Sequence, residues 1–291
     1  MDELWVLLSM ISAFSLATSD ALAKKALERS DEYLVALFRL LFCLPLLVGL
    51  LVIIPVPDLD MPFYAAFCLS LPLELIALVL YIKALKSSPL SLTLPFLSLT
   101  PVFLIFVSYI VLGEKVSLQG GVGIFLIAAG SYILNLHEVR KGLLEPFLAV
   151  GRDKGSLFMI AVAIIYSVTS SLGKMAIEHS SPLFFGALYF VAVTIVFTPI
   201  ALWSGRLDIR RFAGERRFLV LIAPGILYAV MIVSHMIAIS LTKVAYMISL
   251  KRMSLLIGIV YGYLLFKEKH IRQRLSGALL MFIGFVLIVT A

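Results

Sequence analysis

Long apolar runs alternate with short polar breaks along the whole chain. Spanning a bilayer takes about 20 apolar residues in a helix. Ten runs approach or exceed that length: 4–23, 33–54, 62–83, 90–112, 118–136, 155–177, 182–203, 217–240, 244–266 and 274–290. They are continuous rather than alternating residue by residue, so they predict helices and not barrel strands. Prolines stand at or beside the breaks (Pro55, Pro57, Pro62, Pro89, Pro182), where helices stop.

The pattern occurs twice. Ala26-Leu27-Glu28-Arg29-Ser30 matches Ala176-Ile177-Glu178-His179-Ser180 at an offset of 150, with Lys24 on Lys174. Later the offset becomes 154: Glu114-Lys115 falls on Glu268-Lys269, Gln119 on Gln273, Gly123 on Gly277 and Gly130 on Gly284. Residues 1–140 and 150–291 are thus predicted to be two copies of a five-helix unit. Five crossings is an odd number, so the second copy enters the membrane from the other side. The predicted fold is an all-α integral membrane protein, ten transmembrane helices arranged as two inverted five-helix repeats. Many secondary transporters are built this way.

Composition supports that class. Of 291 residues, 62% are hydrophobic and 14% charged, and the mean hydropathy is +1.10. Soluble domains carry about 25% charged residues. The two cysteines, Cys43 and Cys68, both lie in apolar runs, which excludes a disulfide framework and a CxxC metal site. The run at 4–23 passes into a polar linker without an A-x-A pattern, so it predicts a retained span, not a signal peptide. The net charge of +7 does not point to nucleic acid, because the basic residues sit in short loops between spans. Eighteen Lys and Arg residues lie at the ends of runs 1, 3, 5, 7 and 9, three (Lys115, Lys174, Lys243) at the other ends, and three (Arg39, Lys251, Arg252) inside spans. The positive-inside rule then places both termini outside the cell membrane.

Two loops on the basic side are longer. Residues 137–154 carry Val139, Leu143, Phe147 and Val150 at helical spacing, which suits a helix in the headgroup plane or a plain linker between repeats. Residues 206–217 carry five arginines, suited to contact with anionic lipid.

Polar groups inside the spans are the candidate chemistry. A charge at the bilayer centre costs about 2.5–3.5 kcal/mol on insertion scales, so Lys251 and Arg252 call for an explanation. They are adjacent, hence diverge by about 100° around a helix. They can form an anion site, or an ion pair holding the ninth span to a neighbour. Glu74, mid-span and beside Pro72, is the natural partner, as substrate or proton group or as counter-ion. Its repeat mate is Tyr228, and that of Tyr81 is His235; a lone histidine on an apolar helix is either a titrating site or simply hydrogen-bonded. Hydroxyl stripes mark span 1 (Ser12, Ser15, Ser19, beside Asp20) and span 6 (Tyr166, Ser167, Thr169, Ser170, Ser171); they serve helix packing or a shared polar lumen. Asp20 is four residues from Lys24, spacing for a local ion pair, and is a second candidate coupling carboxylate beside Glu74. Pro95 and Pro101 predict a broken fourth span, with Thr93, Ser98 and Thr100 offering hydrogen bonds.

Ten spans, an inverted repeat, and the ends Leu112-Gly113-Glu114-Lys115 and Phe266-Lys267-Glu268-Lys269, each followed by a glycine-spaced helix, resemble the EamA-type branch of the drug/metabolite transporter superfamily along essentially the whole chain. Arg39 also looks like that branch. The Lys251-Arg252 pair is similar to a Lys-Arg pair of related sugar-phosphate and nucleotide-sugar carriers, where it helps bind anionic groups. Carriers of this superfamily are commonly described with cytosolic termini; the charge distribution here predicts the reverse.

The resemblance and the residues together imply a secondary transporter of a small polar, anionic metabolite, with Lys251, Arg252, Glu74, His235, Tyr81, Tyr228 and Ser98 as the substrate set. Glu74 or Asp20 would couple to a proton or counter-substrate. No cofactor and no metal is implied, nor any partner beyond the solute and the bilayer, and the chain is expected as a monomer or homodimer. There is no Walker A motif and no HExxH, so ATP hydrolysis by that route and zinc-protease chemistry are excluded. A flippase for lipid phosphates on the same scaffold is the alternative.

Overall fold

The computed structural model describes residues 3–27, 31–87, 94–135, 153–203, 217–266 and 271–291. They form α1 (Leu4–Leu27), α2 (Glu32–Ile53), α3 (Met61–Ser87), a 3-10 turn (Leu94–Leu99), α4 (Thr100–Leu112) and α5 (Leu118–Asn135). The second half follows as α6 (Lys154–Glu178), α7 (Pro182–Trp203), a 3-10 turn (Arg217–Leu221), α8 (Ile222–Leu241), α9 (Val244–Lys251), α10 (Ser254–Phe266) and α11 (Ile271–Val289). The described residues contain no strand. The expectations placed on residues 137–150 and 206–216 fall outside the described set.

Among the described residues, six helices are long and apolar enough to cross a membrane: Leu4–Ala23, Glu32–Ile53, Met61–Ala84, Lys154–Glu178, Pro182–Trp203 and Phe218–Leu241. Phe96–Leu112, Leu118–Ile133 and Ser276–Val289 are apolar but shorter. Their outward faces are what lipid requires. Val52, Ile53, Ile110, Leu118 and Trp203 are exposed, whereas in water such side chains would be drawn inside.

The ninth run is not one helix, as its continuous hydropathy predicts, but two. The α-helix tightens at its centre into i→i+3 bonds: Arg252 N–H to Ser249 O (3.0 Å), Met253 N–H to Leu250 O (2.9 Å) and Leu255 N–H to Arg252 O (3.0 Å). Such a mid-helix 3-10 stretch marks a functional hinge or a strained sequence. Its mate in the first half is the 3-10 turn Leu94–Leu99, which at the offset of 154 lies on Ile248–Met253. Prolines 95 and 101 account for the first break, since each lacks an N–H for the ladder. No proline stands in the second.

Helix packing exchanges under a swap of the two halves. The closest neighbours are α5 with α11, α3 with α6, α1 with α8, and α2 with α7. Replacing each helix by its repeat mate turns α3–α6 into α8–α1 and returns the other two pairs to themselves. Glycines show the same exchange at atomic scale. A Cβ on Gly123 would stand 2.7 Å from Gly284 O, and one on Gly130 would stand 2.5 Å from Gly277 O. Since Gly277 and Gly284 are the mates of Gly123 and Gly130, the two contacts map onto one another, as a two-fold relation between α5 and α11 requires. The glycines let two backbones touch, the usual device where lipid offers no hydrophobic drive to association.

Candidate functional site

Near the middle of the bundle, α1, α2, α3, α6, α8 and the α9–α10 break bring in-span polar groups together. Glu74 and Tyr81 come from α3, Tyr166 and Thr169 from α6, Tyr228 and His235 from α8, and Lys251 and Arg252 from the break. Glu74, Tyr81, Tyr166, Tyr228, His235, Lys251 and Arg252 are all half-buried, neither packed away nor on an outer face. From Val244 to Lys251 is eight residues, about 12 Å of helix at 1.5 Å each. That depth puts the cations near the midplane of a hydrocarbon layer about 30 Å thick.

Three cations meet two carboxylates here. Arg39 donates from Nη1 to Asp20 Oδ1 at 2.5 Å, and its guanidinium lies over the Tyr228 ring at 4.1 Å. Gly225 makes this possible: a Cβ there would collide with Phe42 Cβ at 2.3 Å and Arg39 O at 3.1 Å, so glycine lets α8 close on α2 beside Arg39. Lys251 donates from Nζ to His235 Nδ1 at 3.3 Å, which leaves the ring proton on Nε2. Glu74 is hydrogen-bonded by Thr169 and feels the field of Lys251. Arg252 lies within electrostatic reach of Tyr166 and Tyr81. Among the described residues no carboxylate lies within ion-pair distance of it, and its buried Nε has no hydrogen-bond partner.

Asp20 pairs across helices with Arg39 of α2, whose Nη1 stands 2.5 Å from Oδ1; the Lys24 side chain lies outside the described set. Of the hydroxyl stripes, Tyr166 and Thr169 stand in the central polar group, whereas four serines serve helix packing. Ser12 and Ser19 donate to Met231 O (3.5 Å) and Pro224 O (2.8 Å) of α8, and Ser167 and Ser171 to carbonyls of their own helix, all four fully buried. Ser98 is buried to 2% in the 3-10 turn, and Thr100 donates to Leu97 O at 2.8 Å. Thr93 is outside the described residues.

Lys174, counted above with the loop cations, is buried within α6. It donates to Glu114 Oε1 at 2.5 Å and to Thr242 O at 2.7 Å, while Glu114 Oε2 accepts the first amide of α9, Val244 N–H, at 2.9 Å. The Gly-Glu mark after span 4 now has a physical account. Gly113 takes φ 70°, the left-handed conformation, and Glu114 N–H returns to Ser108 O at 3.3 Å. With Gly113 N–H bonded to Tyr109 O at 3.0 Å, this is the left-handed αL type of helix stop, and it turns Glu114 toward Lys174. Repetition of both residues at Lys24 and Glu268 was the sequence signal available for this pair.

Among the described residues no group of His, Cys, Asp and Glu could hold a metal. The fold and its polar centre are those of a multi-pass membrane protein. The sequence profile of the EamA-like transporter family matches residues 3–136 and again 153–290. The chain belongs to that family, and it is a membrane transporter. No curated protein sequence matches it. A solved structure described only as "Crystal structure of protein" is similar at a TM-score of 0.73 and 14% identity, covering 97% of this chain and 95% of that one. At that identity the likeness speaks to the fold alone.

Proposed function

We propose that the chain is a secondary transporter of a small anionic metabolite. Residues 1–140 and 150–291 act as two inverted five-helix units, ten spans in all, rocking about the central polar group. Arg252 carries the reading. Asp20 pairs with Arg39, and Glu74 lies within electrostatic reach of Lys251, so the three cations outnumber the two carboxylates by one, and the guanidinium with an unpaired buried Nε is where an anion would be met. A buried donor without a partner is costly, and a substrate carboxylate or phosphate would satisfy it. Lys251, His235, Tyr81 and Tyr228 complete the substrate's surroundings, Ser98 supports the facing 3-10 turn, and Glu74 or Asp20 serves as the coupling carboxylate.

The experiment is a thermal-shift screen of the purified protein against carboxylates, phosphates, amines and neutral solutes, repeated on Arg252→Ala. The reading requires stabilisation by an anionic solute that Arg252→Ala abolishes. Stabilisation by cations or neutral solutes only, unaffected by Arg252→Ala, would rule it out.

A further inference from the structure

The Glu114–Lys174 pair lies far from the substrate set, at the end of the bundle where α4, α6 and α8 finish and α9 begins. It joins the first repeat, through the α4–α5 loop, to two elements of the second. The same loop holds α9 a second time: Tyr246 Oη lies 3.1 Å from Ser117 Oγ and accepts Ser117 N–H at 3.2 Å. A Cβ on Gly120 would run into that hydroxyl at 2.1 Å. Glu114 therefore grips the first turn of the short helix whose last turn carries Lys251.

The two ends of the bundle differ. At this end the ion pair is sealed, with side-chain exposures of 10% for Glu114 and 9% for Lys174. Beneath it Val244, Ala245 and Met247 are fully buried. Toward the other end the Arg39–Asp20 pair is open, with Asp20 57% and Arg39 23% exposed.

We propose that Glu114, Lys174 and the Thr242 carbonyl form a gate that closes this face of the protein, and that the face opens when the pair separates. The inference rests on the alternating-access reading above. The physical reason is energetic balance. A sealed ion pair loses the hydration of both charges and regains a similar amount from attraction and hydrogen bonding, so closed and open forms differ little. A permanently buried apolar contact would have no such bistability. Glu114 and the Thr242 carbonyl satisfy the Lys174 ammonium only while the first repeat's loop sits on α9, so the pair reads the position of one repeat against the other.

The test uses the full chain in proteoliposomes, with Cys43 and Cys68 replaced by serine. Ala245→Cys reports on the space beneath the gate and Ala21→Cys, beside Asp20, on the opposite end. A membrane-impermeant thiol reagent is applied from each side in turn, without substrate. Glu114→Gln and Lys174→Met are expected to speed labelling at Ala245→Cys by about tenfold or more and to slow it at Ala21→Cys. The exchanged pair, Glu114→Lys with Lys174→Glu, regains the charge attraction but not the bonds to Thr242 O and Val244 N–H, so it should bring the rates only part of the way back to the parent's. Unchanged rates at both reporters, or faster labelling at both, would overturn the gate: the first means a static tie, the second a general loosening. Failure of both single variants to fold while the exchanged pair folds would also overturn it, as a folding contact only. Reciprocal labelling in a chain that moves no solute would instead sink the transport reading and leave the gate standing.

Discussion

Lys251 Nζ stands 3.3 Å from His235 Nδ1, an ammonium held by a neutral imidazole at the point where the ninth span changes from one helix to two. The imidazole accepts a hydrogen bond but neutralises no charge. Lys251 thus keeps its attraction for Glu74 and, with Arg252 beside it, for a bound anion. Lys251→Ala and Arg252→Ala should each weaken anion binding by roughly ten- to a hundredfold, the range for hydrogen bonds to charged groups. Glu74→Gln should leave binding intact or tighter, because it removes the competing carboxylate. If Glu74 carries the coupling proton, the same variant stops proton-driven uptake and preserves exchange. Equilibrium binding and counterflow in proteoliposomes measure the two; tight anion binding by Arg252→Ala would refute the assignment.

The α5–α11 contact makes a sharp stability prediction. Gly130→Ala would place a methyl group 2.5 Å from Gly277 O, and neither backbone can retreat without parting the helices. Overpacking typically costs about 1–3 kcal/mol. Gly121→Ala is the control, since its Cβ would meet only Val116 Cγ1 at 3.9 Å. It should be neutral or stabilising, as alanine loses less backbone freedom than glycine. Thermal unfolding in detergent should separate the two, and equal melting temperatures would contradict the packing.

On the gate's face Asp60 Oδ2 lies 2.7 Å from His179 Nδ1, tying the start of α3 to the end of α6. Desolvation is the largest single influence and pushes the Asp60 carboxyl up, but the hydrogen bonds from His179 and Phe63 N–H, with the field of His179, together outweigh it and hold the group below its ordinary value. A carboxyl whose folded value is depressed contributes stability above its unfolded value, and that contribution is lost as pH falls through the folded value. The parent should therefore melt higher than Asp60→Asn at neutral pH, with the gap closing as the medium is acidified past the carboxylate range. A gap that widens in acid would reverse the sign.

The start of α1 and the end of α11 lie on one face of the bundle. Gln119, at the start of α5, donates to Thr290 Oγ1 at 2.7 Å, and α1 begins beside the end of α8. The basic residues predict that this face is outside. A fluorescent-protein fusion after Ala291 should stay dark and a phosphatase fusion should be active; the opposite pair of results would place both termini in the cytoplasm.

The sequence by itself determined the membrane class, the helical runs and the repeat. These are one-dimensional properties: lipid demands an unbroken apolar run whatever packs against it, and a duplicated unit leaves its glycines and glutamates at a constant offset. The same logic made the break in the fourth span legible through Pro95 and Pro101. The break at Arg252–Met253 was not, because no residue there forbids a helix. Only the tertiary structure decided which polar group meets which. Asp20 meets Arg39 from another helix, 19 positions away. Lys174 resembled a loop cation and is sealed against Glu114, 60 positions away. Within the hydroxyl stripes, Ser12 and Ser19 turn to carbonyls of α8, and Ser167 and Ser171 to carbonyls of their own helix. Spacing along one helix specifies which residues share a face. It carries no information on what that face will touch, since the partners come from distant helices and are selected by how closely glycines let those helices approach.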